Sequence, residues 1–276
     1  MSRWWLLIPG LLLLLALLYW QIIVAEGAYL GRRLVALLYD LSASLYDRIK
    51  GYEDEYEAWF LGRPLARALA LVPDPLVLDV ATGTGRLPLT LFRDGHYRGR
   101  LIGLDYACRM VRLAARKLAP WQERITWLCR DATTLPFSDA TFDAVTCLEA
   151  LEFFPRPKRT LREMVRVLRP GGLLLITNRI GRDAALLPGR AFDPMAFEAL
   201  LQGMGLEMVK TKPWEEDYDL IWARKRGIGG PVGMRRLEDI LRCPRCGGRL
   251  HREEGRWACE RGHRFPLQPG GILDLR

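Results

Sequence analysis

The sequence predicts an α/β fold: a mostly parallel sheet with helices on both faces and an antiparallel closing strand, flanked by an N-terminal transmembrane helix and a small C-terminal zinc ribbon. Three observations carry that prediction. From Pro75 onward, short apolar runs alternate with helical patterns, the mark of a sheet built from strand–helix–strand units. An uncharged apolar stretch runs from Trp4 to Ala25. Near the C-terminus, cysteines and a histidine are spaced C-x2-C-x12-C-x3-H. The 276 residues therefore divide into 1–27 (transmembrane anchor), 28–72 (amphipathic or lid helices), 73–226 (the α/β domain), 227–236 (linker) and 237–276 (zinc module).

The N-terminal run holds 22 residues without charge. At about 1.5 Å per helical residue it is long enough for a hydrocarbon core of about 30 Å. Pro9 and Gly10 fall near one end, and Trp4, Trp5, Tyr19 and Trp20 lie near the two ends, as interfacial aromatics do. A cleaved signal peptide is the alternative, but its apolar core is about 7–15 residues with a small-residue exit. This run is longer and lacks that exit. Arg3 precedes it, whereas Glu26, Arg32, Arg33, Arg48 and Lys50 follow. The positive-inside rule then favours a single-pass protein of the cell membrane with its α/β domain in the cytoplasm. Residues 28–50 form a second helix, with Leu30, Leu34, Leu37, Leu38, Leu41 and Leu45 at helical spacing. It either lies on the membrane surface or packs on the domain.

Charge is uneven. The net +9 comes mostly from residues 221–276, with 13 basic against 6 acidic residues; the other 220 residues hold 28 against 26. A wholly basic nucleic-acid surface is excluded, and a basic tail is not. Cys108, Cys129 and Cys147 sit inside apolar runs and are expected as reduced core thiols on the reducing side of a membrane.

The expected strands are Leu76–Val80, Leu101–Leu104, Ile125–Cys129, Phe142–Cys147 and Leu173–Thr177. Helical patterns cover Arg86–Arg93, Ala107–Leu118 and Lys158–Leu168. Arg166–Gly172 reads as a helix stop and turn. Pro194–Met204 is a further helix, and Leu206–Lys212 with Tyr218–Arg224 a closing strand pair. In such sheets ligands bind at the carboxyl ends of the strands, where strand order reverses.

The chemistry-bearing residues fall at those ends. Asp79 precedes Ala81-Thr82-Gly83-Thr84-Gly85, and glycines there allow a sharp turn and close approach to a ligand. Asp105 closes the second strand and can accept from two ribose hydroxyls. Asp131, followed by Ala132, closes the third and can accept from an exocyclic adenine amine. The fourth strand runs into Leu148-Glu149-Ala150. Any one acid reads equally as a helix cap or surface turn, but three at successive strand ends point to a nucleoside cofactor. A nicotinamide site has the fingerprint G-x-G-x-x-G, and here Pro88 stands at the third glycine.

The ordered set resembles the class I, type 11-like S-adenosylmethionine-dependent methyltransferases, which include quinone methyltransferases. The resemblance covers roughly 40–225, most specifically 76–177. It implies a Rossmann-like sheet and S-adenosylmethionine as cofactor. Asp79, Gly83 and Gly85 match the motif around the methionine part, with Ala81 in place of the common first glycine. Asp105 and Tyr106 match the ribose side, Asp131 and Ala132 the adenine side. Leu148 and Glu149 match the segment facing cofactor and acceptor. No catalytic base is identifiable; Glu149 is no more than a weak candidate. Glu152 lies near the expected pocket but also suits a helix surface. The Asn/Asp-Pro-Pro-aromatic segment of enzymes methylating planar amino nitrogens is absent, and no Pro-Cys motif surrounds Cys147. Tyr39, Tyr46 and Tyr52 either line an acceptor lid or simply pack.

The tail offers Cys243, Cys246, Cys259 and His263, a closed Cys3His set that fits structural Zn2+. Gly247 and Gly248 free the backbone to wrap an ion, and so short a segment lacks the core to hold shape alone. The segment is similar to the zinc-binding activator subunit of several methyltransferases. It is also similar to the zinc ribbon of an rRNA guanine methyltransferase, which there precedes the transferase. Three functions follow: a membrane-anchored methyltransferase for a lipid, quinone-like or other small acceptor; a tethered rRNA or tRNA methyltransferase using the basic tail on RNA; and a cofactor-binding protein without catalysis, disfavoured by the intact acids.

Overall fold

The structure is a computed structural model describing residues 7–276 except 94, 232 and 234. Expectations resting on Arg3, Trp4 and Trp5 lie outside the described residues. Helix α1 (Leu7–Tyr19) continues into a π-helical turn (Trp20–Val24), followed by α2 (Arg32–Lys50), α3 (Asp54–Glu57) and α4 (Arg63–Leu69). The central region alternates β1 (Leu76–Val80), α5 (Arg86–Arg93), β2 (Arg100–Asp105), α6 (Cys108–Lys117), β3 (Ile125–Cys129), β4 (Phe142–Cys147), α7 (Pro157–Val167) and β5 (Leu168–Arg179). Then come α8 (Gly181–Ala185), α9 (Pro194–Gly203), β6 (Leu206–Trp214) and β7 (Tyr218–Lys225). The tail holds α10 (Leu237–Ile240), β8 (Leu250–Glu253), β9 (Arg256–Cys259), β10 (Arg264–Phe265), β11 (Leu267–Gln268) and β12 (Ile272–Asp274).

Nine strands form one sheet in the order β11-β12-β3-β2-β1-β4-β5-β7-β6. Strands β1 to β5 pair in parallel, and β7 runs antiparallel between β5 and β6. Every residue of β1 is buried, as expected of a strand covered on both faces. Leu78, Val80, Met164 and Phe197 pack on one side, and Val77, Leu91, Val111 and Leu65 on the other. Sheet order reverses between β1 and β4, and their carboxyl ends share one rim.

Three expectations are corrected. Among the described residues no helix is long and apolar enough to cross a membrane. Helix α1 is described from Leu7 and continues without a break into the π-helical turn ending at Val24. The end of this run is tied to the domain instead: Trp20 Nε1 donates to Leu186 O at 3.1 Å and Tyr29 Oη to Pro188 O at 3.0 Å. Second, Arg169–Gly172 is no free turn. It is part of β5, and the register with β4 shifts there. Third, Cys108 and Cys129 are joined, with Cα atoms 5.5 Å apart, because the start of α6 abuts the end of β3. Cys147 alone of the three is a free buried thiol.

The tail does not stand apart. β8, β9 and β10 form a small antiparallel sheet, but β12 pairs in parallel with β3, Leu273 against Leu128 and Asp274 against Cys129. The Leu275 N–H donates to Cys129 O at 3.0 Å.

Candidate functional site

The carboxyl ends of β1 to β4 open into a cleft of about 810 Å³, at the reversal point where open α/β sheets hold ligands. Ala81, Gly83, Asp105, Asp131, Ala132 and Leu148 line it from the sheet side, with Tyr106 beside them. Helix α2 roofs it with Arg32, Val35, Ala36, Tyr39 and Tyr46. Polar contacts hold that roof along its length. Arg32 pairs with Asp131, and Asp40 accepts from the Arg109 N–H at 2.7 Å. Asp47 takes Thr84 and Lys117, and Lys50 pairs with Glu149 at 2.7 Å.

The backbone is strained at two strand ends. Ala81 has φ 56° and Glu149 φ 46°, a left-handed conformation costing a non-glycine residue about 1–2 kcal/mol. Such strain gathers at functional sites. Ala81 therefore adopts the turn a glycine makes without cost. Gly83 (φ 53°) carries the loop onward, and its N–H donates to Asp105 Oδ2 at 2.9 Å. Gly85 does not line the cleft: a Cβ there would lie 2.7 Å from Leu118 Cδ1, so it lets the loop lie on α6.

Asp79 lies beneath the loop, in a second cavity of about 390 Å³ with Thr82, Thr84, Arg86 and Glu149. Its carboxylate accepts from Thr146 Oγ1 and Thr82 Oγ1, both at 2.6 Å. Burial pushes its pKa up to about 6, although both hydroxyls oppose this. A raised acid is favoured protonated in the fold, so stability falls as pH rises from the unfolded value through 6. Two units correspond to on the order of 3 kcal/mol. Urea unfolding should therefore show wild type losing stability relative to Asp79→Asn between pH 4 and 7. Parallel pH profiles for the two proteins would contradict this.

Asp105 Oδ1 accepts from the Ala107 N–H at 2.8 Å while Oδ2 holds Gly83, so it braces the loop with lone pairs left for a ligand. Burial pushes its carboxyl above the usual range, against the pull of those N–H groups. Asp131 Oδ1 accepts from the N–H and Oγ1 of Thr133, both at 2.7 Å, and Oδ2 meets Arg32. It is at the cleft, but already engaged by the roof.

Glu149 is held between Arg86 and Lys50. Burial alone would raise its carboxyl, yet the two cations more than offset that and hold it below the usual range. It remains ionised, which makes it an anion to receive a cationic group and a poor base. Arg86 also meets Glu57 and Glu215, with its guanidinium 4.0 Å from the Tyr52 ring centroid. Tyr39 and Tyr46 line the cleft, and Tyr39 Oη donates to Glu26 Oε2 at 2.8 Å. Glu152 is no surface residue: it is 1% exposed and accepts from Tyr218 Oη at 2.6 Å. Arg32, Lys50, Glu26 and Arg86 were not singled out in the sequence as site residues. Only Arg86, directly behind the glycine loop, stood next to a signal.

In the tail, the ligand atoms of Cys243, Cys246, Cys259 and His263 all lie within 4.8 Å of one another. Cys246 Sγ is 3.7 Å from Cys259 Sγ, and His263 Nδ1 is 3.6 and 3.4 Å from Cys243 and Cys259 Sγ. A tetrahedron with metal–sulfur bonds of about 2.3 Å has edges of roughly 3.8 Å.

Comparison with known proteins agrees with this geometry. Residues 78–176 match the family described as "Methyltransferase domain". A demethylmenaquinone methyltransferase of Clavibacter sepedonicus is 33% identical over 142 residues, 51% of this chain and 56% of the relative. A ubiquinone/menaquinone biosynthesis C-methyltransferase of Geobacter sulfurreducens is 39% identical over 102 residues, 36% of this chain and 40% of that protein. The chain thus spans about half the length of such relatives. The structure of the [4+2]-cyclase SpnF superposes with TM-score 0.55 at 21% identity, over 72% of this chain and 98% of that one; that likeness shows the fold alone. Residues 78–176, which run from β1 into β5, thus match a methyltransferase domain in sequence.

Proposed function

We propose that this chain transfers the methyl group of S-adenosylmethionine to a quinone-like, hydroxylated aromatic acceptor. The observation that carries this reading is the roofed cleft with acids at the ends of β2 and β3 and an aromatic, largely apolar wall on the other side. The residues suit the cofactor. Asp105 has lone pairs for ribose hydroxyls, Leu104, Met110, Ala132 and Leu148 offer apolar walls for a flat base, and Glu149 with Lys50 and Arg86 suits an amino-acid zwitterion. Asp131 suits the adenine amine once Arg32 yields. The cofactor supplies an electrophilic methyl on a sulfonium; the chain supplies position and dryness.

Helix α2 covers one side of the cleft. Phe153 and Phe154 at the β4 end, with Tyr39 and Tyr46, form an aromatic wall for a ring. The relatives' names point to quinone acceptors, and the aromatic wall agrees with them. The tail cluster is proposed to bind structural Zn2+. A second reading, methyl transfer to RNA, rests on exposed Arg245, Arg249, Arg252, Arg256, Arg261 and Arg264 in the tail. The full chain should be given labelled S-adenosylmethionine with a short-chain demethylated naphthoquinone in its reduced form, and in parallel with RNA and lipid extracts. Label in the naphthoquinol supports the first reading; label in RNA alone, or only in a lipid without a quinone ring, overturns it.

A further inference from the structure

Helix α2 is amphipathic in the reverse sense. Its charged residues Arg32, Asp40, Asp47 and Lys50 reach protein groups around the cleft. Its leucines face away. Leu37, Leu41, Leu45 and Ile49 are 52, 63, 50 and 70% exposed, and their spacing of four places them along one side of the helix. Leu30, just before the helix, is 54% exposed. Helix α1 adds a second uncovered element: Leu11 to Leu15 are each 52 to 62% exposed. Scattered apolar residues on a surface need no explanation, but a contiguous face of this size marks a contact.

The charge around this face selects its partner. At 100° per residue, Arg48 falls among the exposed leucines of α2 and Arg33 at the edge of that face, and both are exposed. The acids Asp40 and Asp47 lie along the same edge as Arg33, where Asp40 accepts from the Arg109 N–H and Asp47 takes Thr84 and Lys117. A leucine face that carries Arg48 and is edged by Arg33, with the acids of that edge already held by protein groups, suits a surface that is apolar inside and anionic at its rim. Trp20 and Tyr29 stack with ring centroids 5.2 Å apart where the end of the α1 segment meets the domain, and aromatic residues favour the headgroup level.

We infer that the outer face of α2, together with α1, seats on an anionic lipid bilayer. The helix that touches lipid is then the roof of the cleft. The inference goes beyond the proposed reaction and is tested without methyl donor or acceptor.

The test is co-sedimentation of the full chain with vesicles of phosphatidylethanolamine and phosphatidylglycerol, against vesicles of phosphatidylcholine alone. Wild type should partition at least tenfold more strongly onto the anionic vesicles. A triple variant, Leu37→Glu with Leu41→Glu and Leu45→Glu, should lose that partitioning at least tenfold. An Arg33→Gln, Arg48→Gln pair should lose the preference for anionic lipid while keeping the leucine face. The replaced leucines are half exposed, so thermal unfolding should stay within a few degrees and separates lost contact from lost fold; if the triple variant unfolds, the arginine pair decides. Wild type remaining in the supernatant overturns the inference. So does a folded triple variant that binds as wild type does, or a lipid-free dimer that the triple variant dissolves.

Discussion

Asp105→Ala is expected to weaken S-adenosylmethionine binding at least tenfold, read by calorimetry on the zinc-loaded full chain. Each hydrogen bond to a charged group contributes about 1.5–3 kcal/mol, and 1.4 kcal/mol is tenfold in affinity. Two ribose bonds therefore account for the loss on their own. Asp105 also receives the Gly83 and Ala107 N–H groups, so the variant loosens the glycine loop as well. A 2′-deoxy analogue of the cofactor separates the two effects. It should bind wild type more weakly than the parent compound, whereas the alanine variant should hardly distinguish them. Unchanged affinity in Asp105→Ala removes the ribose assignment.

Metal removal is expected to have the largest effect on stability. Metal analysis should give about one zinc per chain, since four protein ligands close a tetrahedral site, and Cys243→Ser should abolish it. Structural zinc contributes on the order of 10 kcal/mol to small folds, in addition here to the burial of Leu250, Trp257 and Phe265 from the three short strands of the tail. Backbone amides over residues 241–265 should then exchange hydrogen freely. The effect should spread, because Arg130 Nη1 donates to Leu275 O at 2.9 Å and Arg130 lines the cleft. Cofactor affinity should fall several-fold after chelation and return when zinc is restored. Exchange protection that survives chelation would show that the tail folds on its own packing.

The sheet was legible in the sequence because its signals are local. β3 over Ile125–Cys129 and β4 over Phe142–Cys147 have the bounds that their apolar runs suggested, and α5 over Arg86–Arg93 matches its pattern. The acids could be placed at strand ends because a strand end is visible as the end of an apolar run. What those acids touch was not legible. Lys50 reaches Glu149 and Arg32 reaches Asp131, each across 99 positions, and no local pattern encodes such a meeting. The joining of Cys108 to Cys129 arises in the same way, from two neighbouring elements of a wound sheet. At the N-terminus, apolar content spoke for a span, and no helix among the described residues is long and apolar enough to be one.

The pairing of β12 with β3 also has a consequence during synthesis. Cys129 on β3 waits for Asp274, a partner about 145 residues downstream, and at 5–20 residues per second a ribosome takes roughly 7–30 seconds to deliver it. Throughout that interval the rest of the central sheet can assemble while one row of its amides and carbonyls stays unpaired. Such an open edge recruits other strands, whether from a neighbouring nascent chain or a chaperone. The tail thus closes the sheet late, and the interval before it arrives is when this protein is most exposed to misassembly.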